Sequence, residues 1–223
     1  MSQNNSSIEN TPNIHEVIAL IDKSGSMHGK ELDTIGGINS TFDVLRTENN
    51  ENNENIIIKA SVKLFNNDEE MLIRSQNIQD ISPLTQSQYI PSGTTSLFDA
   101  LGFSLQYFME KKLMDPNSYN KCTFYIVTDG LENSSKVHNA TSVKKLIENA
   151  DKTYGIKVIY MGANQDAIFE ASKIGINPEQ AMNYSENSEN VNSAFRSAGS
   201  MIRRHYTDQP VEFTNVERMA SQR

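Results

Sequence analysis

The chain has 223 residues, a length sufficient to bury an extensive core without help from disulfides or a structural metal. Its 28 acidic and 20 basic side chains give a formal net charge of −8 at pH 7. This balance argues against nucleic acid as a partner, because nucleic-acid binding draws on clustered Lys and Arg.

The first residues, 1–13, are polar and rich in Asn and Ser, and this composition predicts a disordered N-terminal tail. The segment lacks the basic and apolar regions of a signal peptide. No apolar run along the chain approaches the roughly 20 residues that a membrane span requires. Cys122 is the only cysteine, so no intrachain disulfide can form and a reducing compartment fits. We therefore expect a cytoplasmic protein that does not enter a membrane.

The next part of the chain alternates between strand and helix patterns. The apolar run at 15–21 stops at an acidic residue, as a buried parallel strand would, and apolar residues at helical spacing follow over 32–45. The polar stretch 47–55 predicts an exposed loop. A strand at 56–65 is then joined by a short turn to an apolar segment at 71–73, which predicts an antiparallel hairpin.

The second half continues the alternation. Apolar periodicity predicts a helix over 97–108, a strand at 123–127, a helix over 143–150 and a strand at 156–161. The remaining patterns predict a short helix over 167–174, a weak strand at 181–184 and a last helix over 187–206.

This order of elements predicts one α/β domain over residues 14–206, followed by a C-terminal tail over 207–223. Its sheet is expected to be doubly wound and mostly parallel, with helices on both faces and one short antiparallel edge strand. Gly36 and Gly37 lie inside the first predicted helix, where glycine weakens a helix. Close backbone packing is the expected reason for both.

Three polar loops follow strands or open a helix, where an open α/β sheet places its ligand crevice. They are Asp22-Lys23-Ser24-Gly25-Ser26, Thr128-Asp129-Gly130 and Pro91-Ser92-Gly93-Thr94-Thr95-Ser96. Alternate residues of a tight loop face one side, so Asp22, Ser24 and Ser26 can face a common point. Two carboxylates and several hydroxyls make an all-oxygen site, which suits a hard cation such as Mg²⁺ or Mn²⁺.

Other interpretations of these residues remain open. The first loop could be a strand-to-helix turn in which Asp22 and Ser24 cap the helix. Glu132, Asn133 and Ser134 are either rim residues of the site or plain turn residues. A metal-dependent hydrolase or phosphotransferase using Asp22 and Asp129 is an alternative function, although neither a nucleophile-elbow motif nor a phosphate-binding P-loop motif occurs.

The loops carry a resemblance to a known family. Asp22, Ser24 and Ser26 in DKSGSM resemble the Asp-x-Ser-x-Ser signature of the von Willebrand factor type A domain, and Thr95 and Asp129 match its remaining metal-site positions. The resemblance extends from about residue 14 to about residue 206 and implies a Rossmann-like fold. The segment IYMGANQDAIFEASKIGI is similar to single-domain members from bacteria and phages.

The resemblance implies a metal-ion-dependent adhesion site (MIDAS). The hydroxyls of Ser24, Ser26 and Thr95 would contact the metal, and Asp22 and Asp129 would act largely through water. Thr94 is the alternative to Thr95. The implied ion is Mg²⁺, with Mn²⁺ or Ca²⁺ as alternatives, and an open metal position would bind an Asp or Glu carboxylate of a protein partner.

The same resemblance implies a non-catalytic interaction module, with no catalytic residues and no nucleic-acid or membrane partner. A structural protein in which the metal only stabilises the loops is the remaining alternative. In relatives the last helix can shift along the domain, so the helix over 187–206 could transmit binding. The sequence does not indicate the oligomeric state.

Overall fold

A computed structural model describes residues 12–51, 56–163, 166–185 and 187–222. The predicted disordered tail over 1–13 falls almost entirely outside the described residues and stays a prediction. Within the described part of the chain, no helix combines the length and the apolar character needed to cross a membrane.

The described chain forms a six-stranded sheet in the order β3-β2-β1-β4-β5-β6. Neighbouring strands are parallel except β3, which runs antiparallel to β2 at the edge. This confirms the predicted α/β class and its antiparallel edge strand, although that strand is longer than the pattern predicted. The strands are β1 (Asn13–Asp22), β2 (Ile56–Phe65), β3 (Glu69–Asn77), β4 (Lys121–Thr128), β5 (Ile156–Ala163) and β6 (Ala181–Tyr184).

Helices cover both faces of the sheet, as predicted. Because β1 is central, its alternate side chains are buried on opposite faces: Val17 and Ala19 on one, Ile18 and Leu20 on the other. The first face packs against α1 and α5, and the second against α2 and α3. The helices are α1 (Glu31–Glu51), α2 (Leu97–Met114), α3 (Ala140–Tyr154), α4 (Ala167–Lys173), α5 (Ser188–Tyr206) and α6 (Asn215–Ala220).

The first helix is longer than its apolar periodicity indicated. The predicted loop over 47–55 is wrong for residues 47–51, which continue α1, and residues 52–55 lie outside the described residues. Side-chain bonds extend the helix into polar sequence: Arg46 pairs with Asp43 at 2.6 Å, and the Thr47 hydroxyl donates to the Asp43 carbonyl at 2.9 Å. Apolar periodicity cannot detect a helical end whose sequence is polar.

Residues beyond 206, predicted as a tail, pack against the domain. Phe213 is buried in the core face that α5 shares, and Arg218 donates to the carbonyl of Ala181 at the start of β6 at 2.6 Å. The amide of Ser185 donates to the carbonyl of Ser221 at 3.0 Å. The division at residue 206 remains a prediction, and the described residues after it cover the edge strand β6.

The paired glycines of α1 have different surroundings. A Cβ added to Gly37 would lie within 2.6 Å of the Phe195 ring of α5, whereas a Cβ on Gly36 would have no neighbour within 4 Å. Close packing therefore accounts for Gly37 but not for Gly36.

Gly37→Ala is expected to lower the free energy of unfolding by about 1–3 kcal/mol, because the methyl group forces α1 and α5 apart. Gly36→Ala is the matched control and should raise it by roughly 0.5–1 kcal/mol, since alanine favours the helix and has room. Urea unfolding of both variants measures the difference. Equal effects of the two substitutions would contradict this account of the helix contact.

A buried hydrogen-bonded chain joins α5 to the sheet at the end where β1 and β4 begin. The Thr123 hydroxyl lies 2.8 Å from His15 Nε2 and 2.7 Å from His205 Nδ1, and the two imidazole rings are 5.4 Å apart. Burial, followed by the nearby positive charge of Lys121, lowers the pKa of His205 to about 3. Burial also lowers the pKa of His15 well below its ordinary value. Both rings are therefore neutral in the folded protein at neutral pH.

Stability is expected to fall as the pH drops below about 6.5, where unfolded histidines take up protons that the folded ones do not. The loss between pH 7.5 and 5.5 should be about 1.4 kcal/mol for each buried histidine. Denaturant unfolding at the two pH values measures it, and His205→Gln should reduce the loss. The control is His28→Gln, which removes a histidine whose side chain is 77% exposed and should leave the loss unchanged. A loss as large in His205→Gln as in the wild type would contradict this explanation.

Candidate metal site

The candidate site lies where the sheet changes winding direction. β1 and β4 are adjacent and parallel, and the chain continues from β1 toward β2 on one side and from β4 toward β5 on the other. Ile21 pairs with Val127, so Asp22 and Thr128 end neighbouring strands at the same edge. Open α/β sheets place their ligand crevices at such switch points.

Asp22 is fully buried at this edge, and both of its carboxylate oxygens accept hydrogen bonds. The Ser24 amide donates to Oδ1 at 2.7 Å, and the Thr128 hydroxyl donates to Oδ2 at 2.6 Å. Burial raises the pKa of Asp22, these hydrogen bonds oppose the rise, and the negative charge of Asp129 adds to it. A cation at this edge would compensate a buried negative charge.

The residues predicted from three separate loops come together. The hydroxyls of Ser24 and Ser26 lie 3.1 Å apart, and Ser26 donates to Asp129 Oδ1 at 2.6 Å. Gly130 shows that Thr95 lies beside Ser26. A Cβ added to Gly130 would lie 3.3 Å from both Ser26 Oγ and Thr95 Oγ1. Asp22 Oδ2 lies 3.8 Å from the same point. Ser26, Thr95 and Asp22 therefore surround one small cradle at Gly130, and Ser24 and Asp129 adjoin it through their hydrogen bonds with Ser26.

The oxygen spacing in this cradle fits a small divalent cation. Octahedral Mg²⁺ binds oxygen at 2.0–2.1 Å, which places neighbouring ligand oxygens about 3 Å apart. The Ser24–Ser26 hydroxyl separation of 3.1 Å matches this spacing. Among the described residues, no group of three or more His, Cys, Asp or Glu side chains could hold a metal, so a metal at this edge would depend on hydroxyl oxygens.

Backbone hydrogen bonds hold the loops in place. The Lys23 amide donates to the Phe65 carbonyl at the end of β2, and the Ser92 amide donates to the Lys23 carbonyl, each at 2.7 Å. The Gly25 amide donates to the Gly93 carbonyl at 3.0 Å. Loop 91–96 therefore lies directly against the first loop, although about 70 residues separate them in sequence.

Residues 132–134 form hydrogen bonds with loop 91–96 and with the start of α2. Asn133 Oδ1 accepts from the Thr95 amide at 3.0 Å, and the Glu132 carboxylate accepts from the Phe98 amide in the first turn of α2 at 2.9 Å. Thr95 is buried and lies beside the cradle, whereas Thr94 is exposed. This placement supports Thr95 as the ligand, and the ligand roles themselves remain predictions.

The alternative in which the first loop caps a helix does not describe this geometry. Ser24 precedes a short 3-10 turn over 25–27 without a capping hydrogen bond from its side chain, and α1 begins only at Glu31. No sequence pattern distinguishes Thr128 and Gly130 from the rest of their loop. Their contacts with Asp22, Ser26 and Thr95 become evident only in the folded chain.

Lys30 is the other residue that the sequence did not indicate. Its ammonium group donates to Asp129 Oδ2, and the Asp129 side chain is only 3% exposed. This edge of the sheet therefore contains an ammonium group as well as two carboxylates and the hydroxyls of Ser24, Ser26, Thr95 and Thr128.

Comparisons with known proteins agree with this architecture. The family model described as von Willebrand factor type A domain matches residues 16–197. The comparison with curated protein sequences found no match.

Among solved structures, a von Willebrand factor type A protein from Catenulispora acidiphila has a TM-score of 0.59 and 15% identity, covering 86% of this chain and 43% of that one. Proximal thread matrix protein 1 from the mussel byssus, with a zinc-occupied MIDAS motif, has a TM-score of 0.54 and 13% identity, covering 86% and 46%. The manganese-loaded TRAP protein of Plasmodium vivax has a TM-score of 0.54 and 18% identity, covering 83% and 74%. The chain thus spans less than half the length of the first two proteins, and at these identities the likeness establishes the fold.

Gly130→Ala is expected to weaken Mn²⁺ binding by roughly tenfold, because the added methyl group would stand 3.3 Å from two of the predicted ligand oxygens. Gly36→Ala adds the same group where nothing lies within 4 Å and should leave the affinity unchanged. Isothermal titration calorimetry measures both affinities. If Gly130→Ala folds and binds Mn²⁺ like the wild type, the cradle is not the metal site.

Proposed function

The chain belongs to the von Willebrand factor type A family, and on that premise we propose that it is a non-catalytic, divalent-metal-dependent interaction module. It binds an acidic side chain of a protein partner through an open position on the metal. The observation that carries this proposal is the convergence of hydroxyls and carboxylates from three loops around Gly130.

Ser24, Ser26 and Thr95 would hold the metal through their hydroxyls, with Asp22 and Asp129 acting largely through water. Neutral hydroxyls donate little charge, so a bound metal supplies an electrophilic position for a further oxygen ligand. We propose Mg²⁺ as the ion, with Mn²⁺ or Ca²⁺ as alternatives. The zinc-occupied MIDAS motif of the mussel protein and the manganese loading of the Plasmodium protein support a divalent ion as the ligand of this chain.

The exposure of the site residues supports recognition from one side. Asp22, Ser24 and Thr95 are buried beneath the edge, whereas Ser26 and Gly25 are exposed. An incoming carboxylate would therefore approach past Ser26. A partner Asp or Glu would supply the negative charge that the hydroxyl ligands do not.

One observation favours a phosphotransferase or hydrolase as the second candidate, since Lys30 supplies an ammonium group that contacts the Asp129 carboxylate. Asp22 weighs against it as a nucleophile. It is fully buried, and both of its oxygens already accept hydrogen bonds at 2.6–2.7 Å. Such a buried carboxylate is not accessible to a phosphate ester in the way that attack on phosphorus requires.

Affinity capture tests the proposal directly. With the protein immobilised in Mg²⁺, we expect it to retain a partner from its native source and to release that partner in EDTA. Ser26→Ala should reduce the retained amount roughly tenfold, because it removes one metal ligand from the exposed side. Ser172→Ala, which removes an exposed hydroxyl on α4, should behave as the wild type.

The control outcomes separate the alternatives. A partner retained equally in Mg²⁺ and in EDTA contradicts the proposal. Turnover of phosphate esters that is lost in Asp22→Asn would favour the enzyme. A rise in melting temperature with Mg²⁺, without any metal-dependent partner, would indicate a metal that only stabilises the loops. Replacing the partner's critical Asp or Glu by the amide should abolish retention.

A further inference from the structure

We infer that Lys30 is an internal counter-ion of the metal site: its ammonium group neutralises Asp129 in the metal-free protein and moves to Asp33 when a metal engages Asp129. This inference rests on the proposed metal site and adds to it a residue that sets metal affinity. It makes metal binding an exchange of one cation for another.

The contact between Lys30 and Asp129 is the first observation. Oδ2 of Asp129 accepts from the Lys30 ammonium group, and Oδ1 accepts from the Ser26 hydroxyl at 2.6 Å. The Asp129 side chain is 3% exposed and that of Lys30 is 23% exposed. A carboxylate so shielded from water needs a compensating cation, and the ammonium group supplies it.

A metal and the ammonium group compete for the same carboxylate. The predicted metal position lies among Ser24, Ser26 and Thr95, and Ser26 itself contacts Asp129. A divalent ion there would repel an ammonium group held on the neighbouring carboxylate, since both are cations at short range in a partly buried setting. Metal binding therefore either displaces the Lys30 ammonium group or is weakened by repulsion from it.

Backbone hydrogen bonds hold Lys30 in place at the start of α1. Its amide donates to the Met27 carbonyl at 3.1 Å, and its carbonyl accepts from the Thr34 amide at 2.9 Å at the start of α1. The exchange consequently requires a change of side-chain rotamer and no movement of the helix.

The structure provides a place for the displaced ammonium group. A cavity of about 90 Å³ lies beside Lys30, and Asp33 contributes to its lining. That space is several times what one water molecule requires, so it can hold the end of a lysine side chain. Asp33 follows Lys30 at i+3, the spacing at which helical side chains meet. Within the described part of the chain, no cation pairs with Asp33.

Mn²⁺ titration of a set of variants tests the exchange. Lys30→Met should bind Mn²⁺ about tenfold more tightly than the wild type, because no ammonium group has to leave. The control is Lys23→Met, which removes the same charge from the residue next to Asp22; its ammonium group pairs with Glu70 at 2.7 Å rather than with Asp129. Its affinity should change by less than about threefold.

A double-substitution cycle tests the destination of the ammonium group. Asp33→Asn should weaken Mn²⁺ binding by about threefold in the wild type, because the displaced Lys30 loses its new partner. In the Lys30→Met background the same substitution should have no effect. A second readout needs no metal: in EDTA, Lys30→Met should melt at a lower temperature than Lys23→Met, since it leaves Asp129 without a counter-charge.

The outcomes distinguish this inference from the proposed function. If Lys30→Met and Lys23→Met raise Mn²⁺ affinity equally, the effect is one of general charge and the inference on Lys30 is overturned while the metal site stands. If Asp33→Asn acts equally in both backgrounds, Asp33 is not the destination. If no variant binds Mn²⁺, the proposed function fails, and the exchange fails with it.

Discussion

The fully buried carboxylate of Asp22, at the end of the central strand, is the constraint around which the neighbouring groups are arranged. Burial raises its pKa, so the carboxylate stays charged only where neighbouring groups stabilise the charge. The Ser24 amide and the Thr128 hydroxyl supply two hydrogen bonds toward the charge. Thr128 is the last residue of β4, and Ser24 lies two residues after the end of β1. The bond from Thr128 therefore forms only when β1 and β4 are paired in register.

The order of the strands brings further polar groups to the edge where Asp22 lies. Because β1 lies between β2 and β4, three chain segments that are distant in sequence meet at one edge. The end of β2 accepts a hydrogen bond from Lys23, and the loop before α2 pairs with Gly25. The residue after β4 accepts from Ser26. No segment could form the cradle alone, and backbone pairing between the three loops sets the positions of the predicted metal ligands.

Much of this arrangement could be predicted from the sequence, because it follows from short-range patterns. Apolar runs marked the strands, and the polar residues after two of them lie together, as parallel strands require. What the sequence did not reveal depends on contacts between distant residues. Lys30 and Asp129 are 99 positions apart, and no pattern near Lys30 distinguishes it from an ordinary exposed lysine. The packing of Phe213 and Arg218 against the domain is equally nonlocal, and polar side-chain bonds extend α1 beyond its apolar stripe.

The charges at the edge explain why a cation would be needed to bind an acidic partner at all. The chain has a net charge of −8, so its average field opposes a carboxylate, although salt screens that field beyond about 8–10 Å. At the edge itself, Asp22 and Asp129 outweigh the single ammonium group of Lys30, and the local balance is also negative. A divalent ion offsets the two carboxylates only where it sits, and its neutral hydroxyl ligands add no further negative charge. The attraction for a partner carboxylate would then be confined to one position, so that metal occupancy rather than overall charge decides whether the partner binds.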